Sequence, residues 1–218
     1  MAGWGKALAV GIAVSSAAAG EAQEVVIAAL GDSLTQGYGL PQQDGLVPQL
    51  EGWLLARGQS VRLINAGVSG DTTAGGLARV GWTLGDDVDA MIVALGGNDL
   101  LRGVAPEVAR ANLDGILRAA EAADVEVLLV GLRAFNNFGP DYRADFDAIF
   151  PDLATEYDTL LMEDFLAAIM GPDAQGQPRV LPGYFQADGL HPNAAGVGRI
   201  VETMGPMVEA LIARLPQP

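Results

Sequence analysis

Short, nearly unbroken apolar runs recur along this chain and alternate with segments of helical spacing. VVIAAL (Val25 to Leu30), AMIVALG (Ala90 to Gly96) and VEVLLVGL (Val125 to Leu132) are short for helices and lack polar alternation. A strand that is apolar at almost every position has to be covered on both faces. VRLINA (Val61 to Ala66) reads as another strand, and TLLME (Thr159 to Glu163) as a short fifth. Between them, Leu46 to Ala56 places Leu46, Leu50, Trp53 and Leu54 at helical spacing, with Gly58 just past the end. Thr72 or Thr73 could cap a short helix reaching Val80. Pro106 opens a helix to about Ala122, as proline suits the first helical position. Tyr142 to Tyr157 reads as a helix interrupted at Pro151, and Pro192 to about Arg214 as the closing helix. Strand alternating with helix implies an α/β protein whose parallel sheet carries helices on both faces. No internal repeat or low-complexity linker divides the 218 residues, so one domain is the economical reading.

The N-terminus is set apart. Lys6 precedes an apolar stretch from Ala7 to Val14, and SSAAAGEA follows with small residues ending at Ala22. That order resembles a secretory signal peptide over residues 1–22, leaving residues 23–218 as the mature domain in the periplasm or outside the cell. The apolar stretch is short for a bilayer, so stable membrane insertion is not expected.

Charge and residue inventory narrow the chemistry. Twelve Lys and Arg against 27 Asp and Glu give a formal net charge of −15, which argues against nucleic-acid phosphates as partners. There is no cysteine, which excludes thiol nucleophiles and Cys-ligated metals. There is one histidine, so any imidazole chemistry runs through His191.

Polar residues gather where the strands end, and in a parallel sheet sites form beyond those carboxyl ends. The first strand stops at Gly31-Asp32-Ser33. The second runs into NAGVSGDT (Asn65 to Thr72), the third into GGNDLL (Gly96 to Leu101), and DGLHPN (Asp188 to Asn193) precedes the last helix. A serine hydroxyl needs a base beside it to attack a carbonyl. His191 can supply it, and Asp188, three residues earlier across Gly189, can bond one ring nitrogen and leave the other for the serine proton. A developing oxyanion needs donors, for which the Ser33 N–H, Gly70 and the Asn98 side chain are the candidates. Asp32 reads as a holder of the turn and not as the base.

Taken together, GDSLTQGYG, NAGVSGDTTAGGLARV, GGNDLLRG and DGLHPNAAG resemble the SGNH (GDSL) hydrolase family, and within it the bacterial arylesterase and multifunctional thioesterase–lysophospholipase group. These segments span most of the mature chain and depart from the family pattern at no catalytic position. The resemblance implies a flavodoxin-like three-layer α/β/α sandwich on a five-stranded parallel sheet. It implies Ser33 as nucleophile, His191 as general base and then acid, Asp188 as its orienting carboxylate, and Ser33, Gly70 and Asn98 as the oxyanion hole. The expected activity is hydrolysis of small to medium acyl or aryl esters and thioesters through an acyl-enzyme on Ser33, with no cofactor and no metal. A carbohydrate or peptidoglycan O-acetylesterase is the alternative, because the same constellation would serve it.

Leu100 and Leu101 in LLRGV, and Phe135 and Phe138 in RAFNNFG, sit on connections at the same sheet edge. They are the expected walls of an apolar groove for the substrate. Two other readings compete. Asp32, Asp71, Asp99 and Asp188 could together hold a hard cation in a metal-dependent phosphatase, and the fold could carry a non-catalytic binding protein.

Overall fold

The computed structural model describes residues 1, 24–134, 136–172 and 178–216. Apart from Met1, the expected signal segment lies outside the described residues, as does Phe135. The apolar runs become strands β1 (Val25–Gly31), β2 (Val61–Gly67), β3 (Ala90–Ala94), β4 (Glu126–Val130) and β5 (Leu160–Met162). They form one five-stranded sheet in the order β2-β1-β3-β4-β5, and each pairing is parallel. The helices are α1 (Ser33–Gln36), α2 (Leu46–Leu55), α3 (Thr73–Thr83), α4 (Gly97–Arg102), α5 (Pro106–Ala122), α6 (Pro140–Glu156) and α7 (Ala194–Ile212).

Unbroken hydrophobicity has a direct structural reading here. Side chains alternate across a strand. Val26, Ala28 and Leu30 of β1 therefore join the core formed with Leu113 and Ile116 of α5 and Phe146 and Phe150 of α6. Ile27 and Ala29 join the opposite core, with Leu46 and Leu50 of α2 and Val201 and Met204 of α7. β2, at the sheet edge, breaks the pattern with exposed Arg62, which pairs with Asp87 at 2.8 Å and Glu24 at 3.4 Å.

The strand order decides where a site can form. The chain leaves β1 toward β2, then crosses back to lay β3 on the other side of β1. Connections diverge at this reversal, which leaves a crevice beyond the carboxyl ends of β1 and β3. Gly31-Asp32-Ser33 and Gly97-Asn98 lie at those two ends.

Local departures from the sequence expectation have physical causes. β3 ends at Ala94 and not Gly96, because Gly96 takes a left-handed φ of 116° and caps α4. The closing helix begins at Ala194 and not Pro192, since the Asn193 side chain caps it by accepting from the Gly196 N–H at 3.0 Å. Pro192 instead pairs in an isolated antiparallel bridge with Phe185. Helix α6 continues through Pro151. Burial of Phe150 and Leu153 on either side holds both halves to the core against the roughly 3 kcal/mol an interior proline costs. An antiparallel hairpin of β6 (Met170–Pro172) and β7 (Pro178–Val180), unexpected from sequence, stands apart from the main sheet.

Candidate active site

The turn after β1 is built by close packing. A Cβ on Gly31 would run into the Thr35 side chain and the Ala94 carbonyl, so glycine is needed for α1 to fold back over the strand end. The Asp32 carboxylate caps α1, accepting from the Leu34 N–H at 2.9 Å. Ser33 is then the first residue of a four-residue helix, standing at the mouth of the crevice.

His191 arrives from the loop before α7. Its Nε2 lies 2.9 Å from Ser33 Oγ, and its Nδ1 lies 2.7 Å from Asp188 Oδ2. The other carboxylate oxygen of Asp188 accepts from the backbone N–H of Leu190 at 3.0 Å and of His191 at 3.1 Å. The side-chain bond to His191, followed by those two N–H groups, pulls the Asp188 carboxyl down to about 2. An acceptor this firmly ionised favours the tautomer with hydrogen on Nδ1, which leaves the Nε2 lone pair facing Ser33. The sequence thus brought together residues 158 positions apart.

Two further expected residues flank the serine. Gly70 holds a left-handed φ of 85° in the loop after β2, a conformation that suits glycine. Asn98 is the second residue of α4, and its Nδ2 donates to the Asp71 carbonyl at 2.9 Å and to Asp32 Oδ2 at 3.3 Å. Ser33, Gly70 and Asn98 line one cleft with His191.

Asp32 therefore does more than hold its turn, because it also fixes the Asn98 amide. It is 3% exposed, and burial raises its carboxyl to about 6 despite the bonds from Leu34 and Asn98. A raised carboxyl means that the native state keeps a proton the unfolded chain has already released. Stability should then fall as pH rises from about 4 to about 6. Asp32→Asn keeps an oxygen for the Leu34 N–H and removes the charge. Relative to wild type, its unfolding free energy should improve by about 2–3 kcal/mol between pH 4 and pH 7, measured by denaturant titration at both pH values. A constant difference across that range would contradict the assignment.

The cleft is about 480 Å³. Its apolar wall includes Leu100, Leu101, Leu132, Leu166, Met170 and Val180. Leu100 is largely buried, whereas Leu101 is 53% exposed. Phe138 does not line the cleft. It packs instead with its ring centroid 5.0 Å from that of Tyr142 and close against Gly103, which caps α4.

Other contributors were not apparent from sequence. Gln186 ties the serine loop to the histidine loop: its Nε2 donates to the Tyr38 carbonyl at 2.8 Å and the Pro192 carbonyl at 3.0 Å, and its N–H to the His191 carbonyl at 2.8 Å. The Tyr38 ring rests 4.6 Å from the imidazole. Neither residue belongs to a polar cluster in the sequence, and the two glycines around Tyr38 are the only local signal. The four aspartates considered as a cation site are separately engaged. Asp71 pairs with Arg79 at 2.6 Å, Asp99 accepts from Thr73, and Asp188 holds His191. Among the described residues, no group of three or more metal-ligating side chains comes together. Nor is any described helix long and apolar enough to cross a membrane.

Known proteins resemble this chain over most of its length. Residues 29–199 match the model of the GDSL-like lipase/acylhydrolase family. The esterase TesA of Pseudomonas aeruginosa is 36% identical over 184 residues, covering 84% of this chain and 87% of that protein. An arylesterase of Vibrio mimicus is 35% identical over 176 residues, covering 80% of this chain and 83% of that one. The crystal structure of AlinE4, an SGNH-hydrolase family esterase, is 42% identical and superposes with a TM-score of 0.70 over 87% of this chain and 97% of its own. Since the family match runs from the end of β1 into α7 and takes in β2 to β5 whole, the chain belongs to the GDSL-like lipase/acylhydrolase family of ester-cleaving enzymes.

Proposed function

We propose that this enzyme hydrolyses acyl and aryl esters and thioesters through an acyl-enzyme on Ser33. The reading rests above all on one observation: Ser33 Oγ and His191 Nε2 are 2.9 Å apart at an apolar cleft. As Oγ attacks the substrate carbonyl, Nε2 takes its proton. The carbonyl electrons move onto oxygen, which the Ser33 and Gly70 N–H groups and the Asn98 amide stabilise. Of the two Asn98 bonds, the 3.3 Å contact to Asp32 is the longer, and its hydrogen is the one an oxyanion would share. Collapse expels the alcohol or thiol, which receives the proton from Nε2. Water then attacks the acyl carbon, His191 again takes and returns a proton, and the acid leaves.

The wall of the cleft favours an acyl chain over a sugar, which asks for more hydrogen-bonding groups than leucine, methionine and valine offer. Each buried methylene contributes about 0.8 kcal/mol, or roughly fourfold in kcat/KM. With a p-nitrophenyl ester series, kcat/KM should climb from acetyl upward until the groove is filled. Leu101→Ala should flatten that climb and leave the acetyl ester nearly unchanged. Equal cleavage of acetyl and octanoyl esters, or preference for acetylated sugars over both, would overturn the acyl-groove reading.

A further inference from the structure

We infer that Arg79 is a positioning residue for the oxyanion site: one guanidinium joins the backbone segments that carry Ser33, Gly70 and Asn98. Arg79 lies on α3 and does not line the cleft. Its Nη2 donates to the Gly31 carbonyl at 2.8 Å, at the end of β1 and two residues before Ser33. Its Nη1 donates to the Ala66 carbonyl at 2.6 Å, near the end of β2, where the chain departs toward Gly70. Its Nε donates to Asp71 Oδ2, also at 2.6 Å. Asp71 directly follows Gly70, and its own carbonyl holds the Asn98 amide at 2.9 Å. Every candidate oxyanion donor is therefore within two residues, or one hydrogen bond, of a group that Arg79 grips.

The arrangement suits arginine in particular. The Gly31 carbonyl accepts from the Val68 N–H at 3.0 Å and keeps a second lone pair, and a planar fork can reach it and the Ala66 carbonyl together while pairing with a carboxylate. A lysine ammonium in the same place could not span all three acceptors. The Arg79 and Asp71 side chains are 22% and 20% exposed, so water is a poor substitute for these bonds. From the outer side, Arg102 of α4 donates to the Gly70 carbonyl at 2.9 Å, holding the same loop against the helix that bears Asn98. Loosening the inner clasp would let the Gly70 and Asn98 donors drift relative to Ser33, whose 2.9 Å contact with His191 keeps it in register with Asp188.

This inference rests on the acyl-transfer reading, and its test separates the two. Arg79→Lys, Asp71→Asn, Ser33→Ala and a control, Arg110→Gln, which removes a surface ion pair with Glu156, would be compared on a p-nitrophenyl ester. Active sites would be counted by titration with a p-nitrophenyl phosphonate. In Arg79→Lys, kcat per titrated site should fall about 10- to 100-fold, less than or equal to the loss of a whole oxyanion donor. KM should stay within about twofold, the sign of an interaction used mainly in the transition state. The shape of the pH–rate profile should be unchanged, because the 2.9 Å contact between Ser33 and His191 is untouched. Asp71→Asn should show the same pattern at about 3- to 10-fold. A role confined to folding would lower thermal stability and the number of titratable sites but leave kcat per site unchanged, which overturns the inference. A loss expressed only in KM, or a shifted pH–rate profile, overturns it as well. Where Arg79→Lys gives no titratable protein, Asp71→Asn decides by the same criteria. If Ser33→Ala keeps its turnover, the serine-hydrolase reading itself fails.

Discussion

Ser33→Ala is expected to lower kcat by about 10⁴- to 10⁶-fold while leaving the fold intact. Two features of the site make the loss large and clean. The hydroxyl's partner is His191 Nε2 at 2.9 Å, and the chain has no cysteine to take over as nucleophile. Folding should be spared because the cap of α1 belongs to Asp32 and not to Ser33, and alanine is the best residue for the helical position. The backbone N–H of residue 33 survives the substitution, as do Gly70 and Asn98, so a residual rate above that in water should remain. The check is kcat on a p-nitrophenyl ester together with mass spectrometry after phosphonate treatment. Wild type should gain one phosphonyl group on the peptide containing Ser33 and the variant none. Turnover within about tenfold of wild type would remove Ser33 from the chemistry.

How much of this was legible beforehand follows from which interactions leave a trace in sequence. β1, β3 and β4 were legible because burial on both faces demands apolar residues at nearly every position, as in Val25 to Leu30 and Ala90 to Ala94. Their ends blurred where one backbone conformation decides the outcome: Gly96 at φ 116° stops β3 two residues before the apolar run does. The β6–β7 hairpin had no comparable signal, since Met-Gly-Pro paired with Pro-Arg-Val offers neither alternation nor a buried face. In the site, the meeting of Ser33, Asp188 and His191 was legible because they stand in polar clusters, one at the end of β1 and one just before α7. Arg79 and Gln186 were not, because both act on backbone carbonyls, and a carbonyl is the same at every residue. Phe138 shows the opposite failure. An aromatic on the correct connection packed against Tyr142 and not into the cleft, because which way a loop side chain turns is decided by neighbours distant in sequence.

The second large effect should come from Asp188→Asn, and it should exceed that of Asp188→Ala. One carboxylate oxygen accepts from the N–H groups of Leu190 and His191 at 3.0 and 3.1 Å, and the other faces His191 Nδ1 at 2.7 Å. An asparagine would keep its carbonyl on the two backbone donors, because turning the amide around would set its NH₂ against both of them. The NH₂ then faces Nδ1, which must become the acceptor. The ring hydrogen moves to Nε2, where it points at Ser33 Oγ, and the imidazole can no longer take the serine proton. Asparagine should therefore cost about 10³- to 10⁴-fold in kcat. Alanine imposes no tautomer, and with the Asp188 side chain 40% exposed, water can accept the Nδ1 hydrogen in its place. Its cost should be nearer 10²-fold, at the lower end of what positioned acid–base groups contribute. In wild type, the Asp188 carboxyl, pulled down to about 2, stays ionised at neutral pH and holds the Nδ1 hydrogen. The chain's single histidine makes the cause directly observable, because an imidazole ¹⁵N spectrum contains one residue. Wild type should carry hydrogen on Nδ1 at alkaline pH, Asp188→Asn on Nε2, and Asp188→Ala on a mixture of the two. An asparagine variant as active as the alanine one, or an unchanged tautomer, would show that Asp188 acts through its charge alone and not by choosing which nitrogen faces the serine.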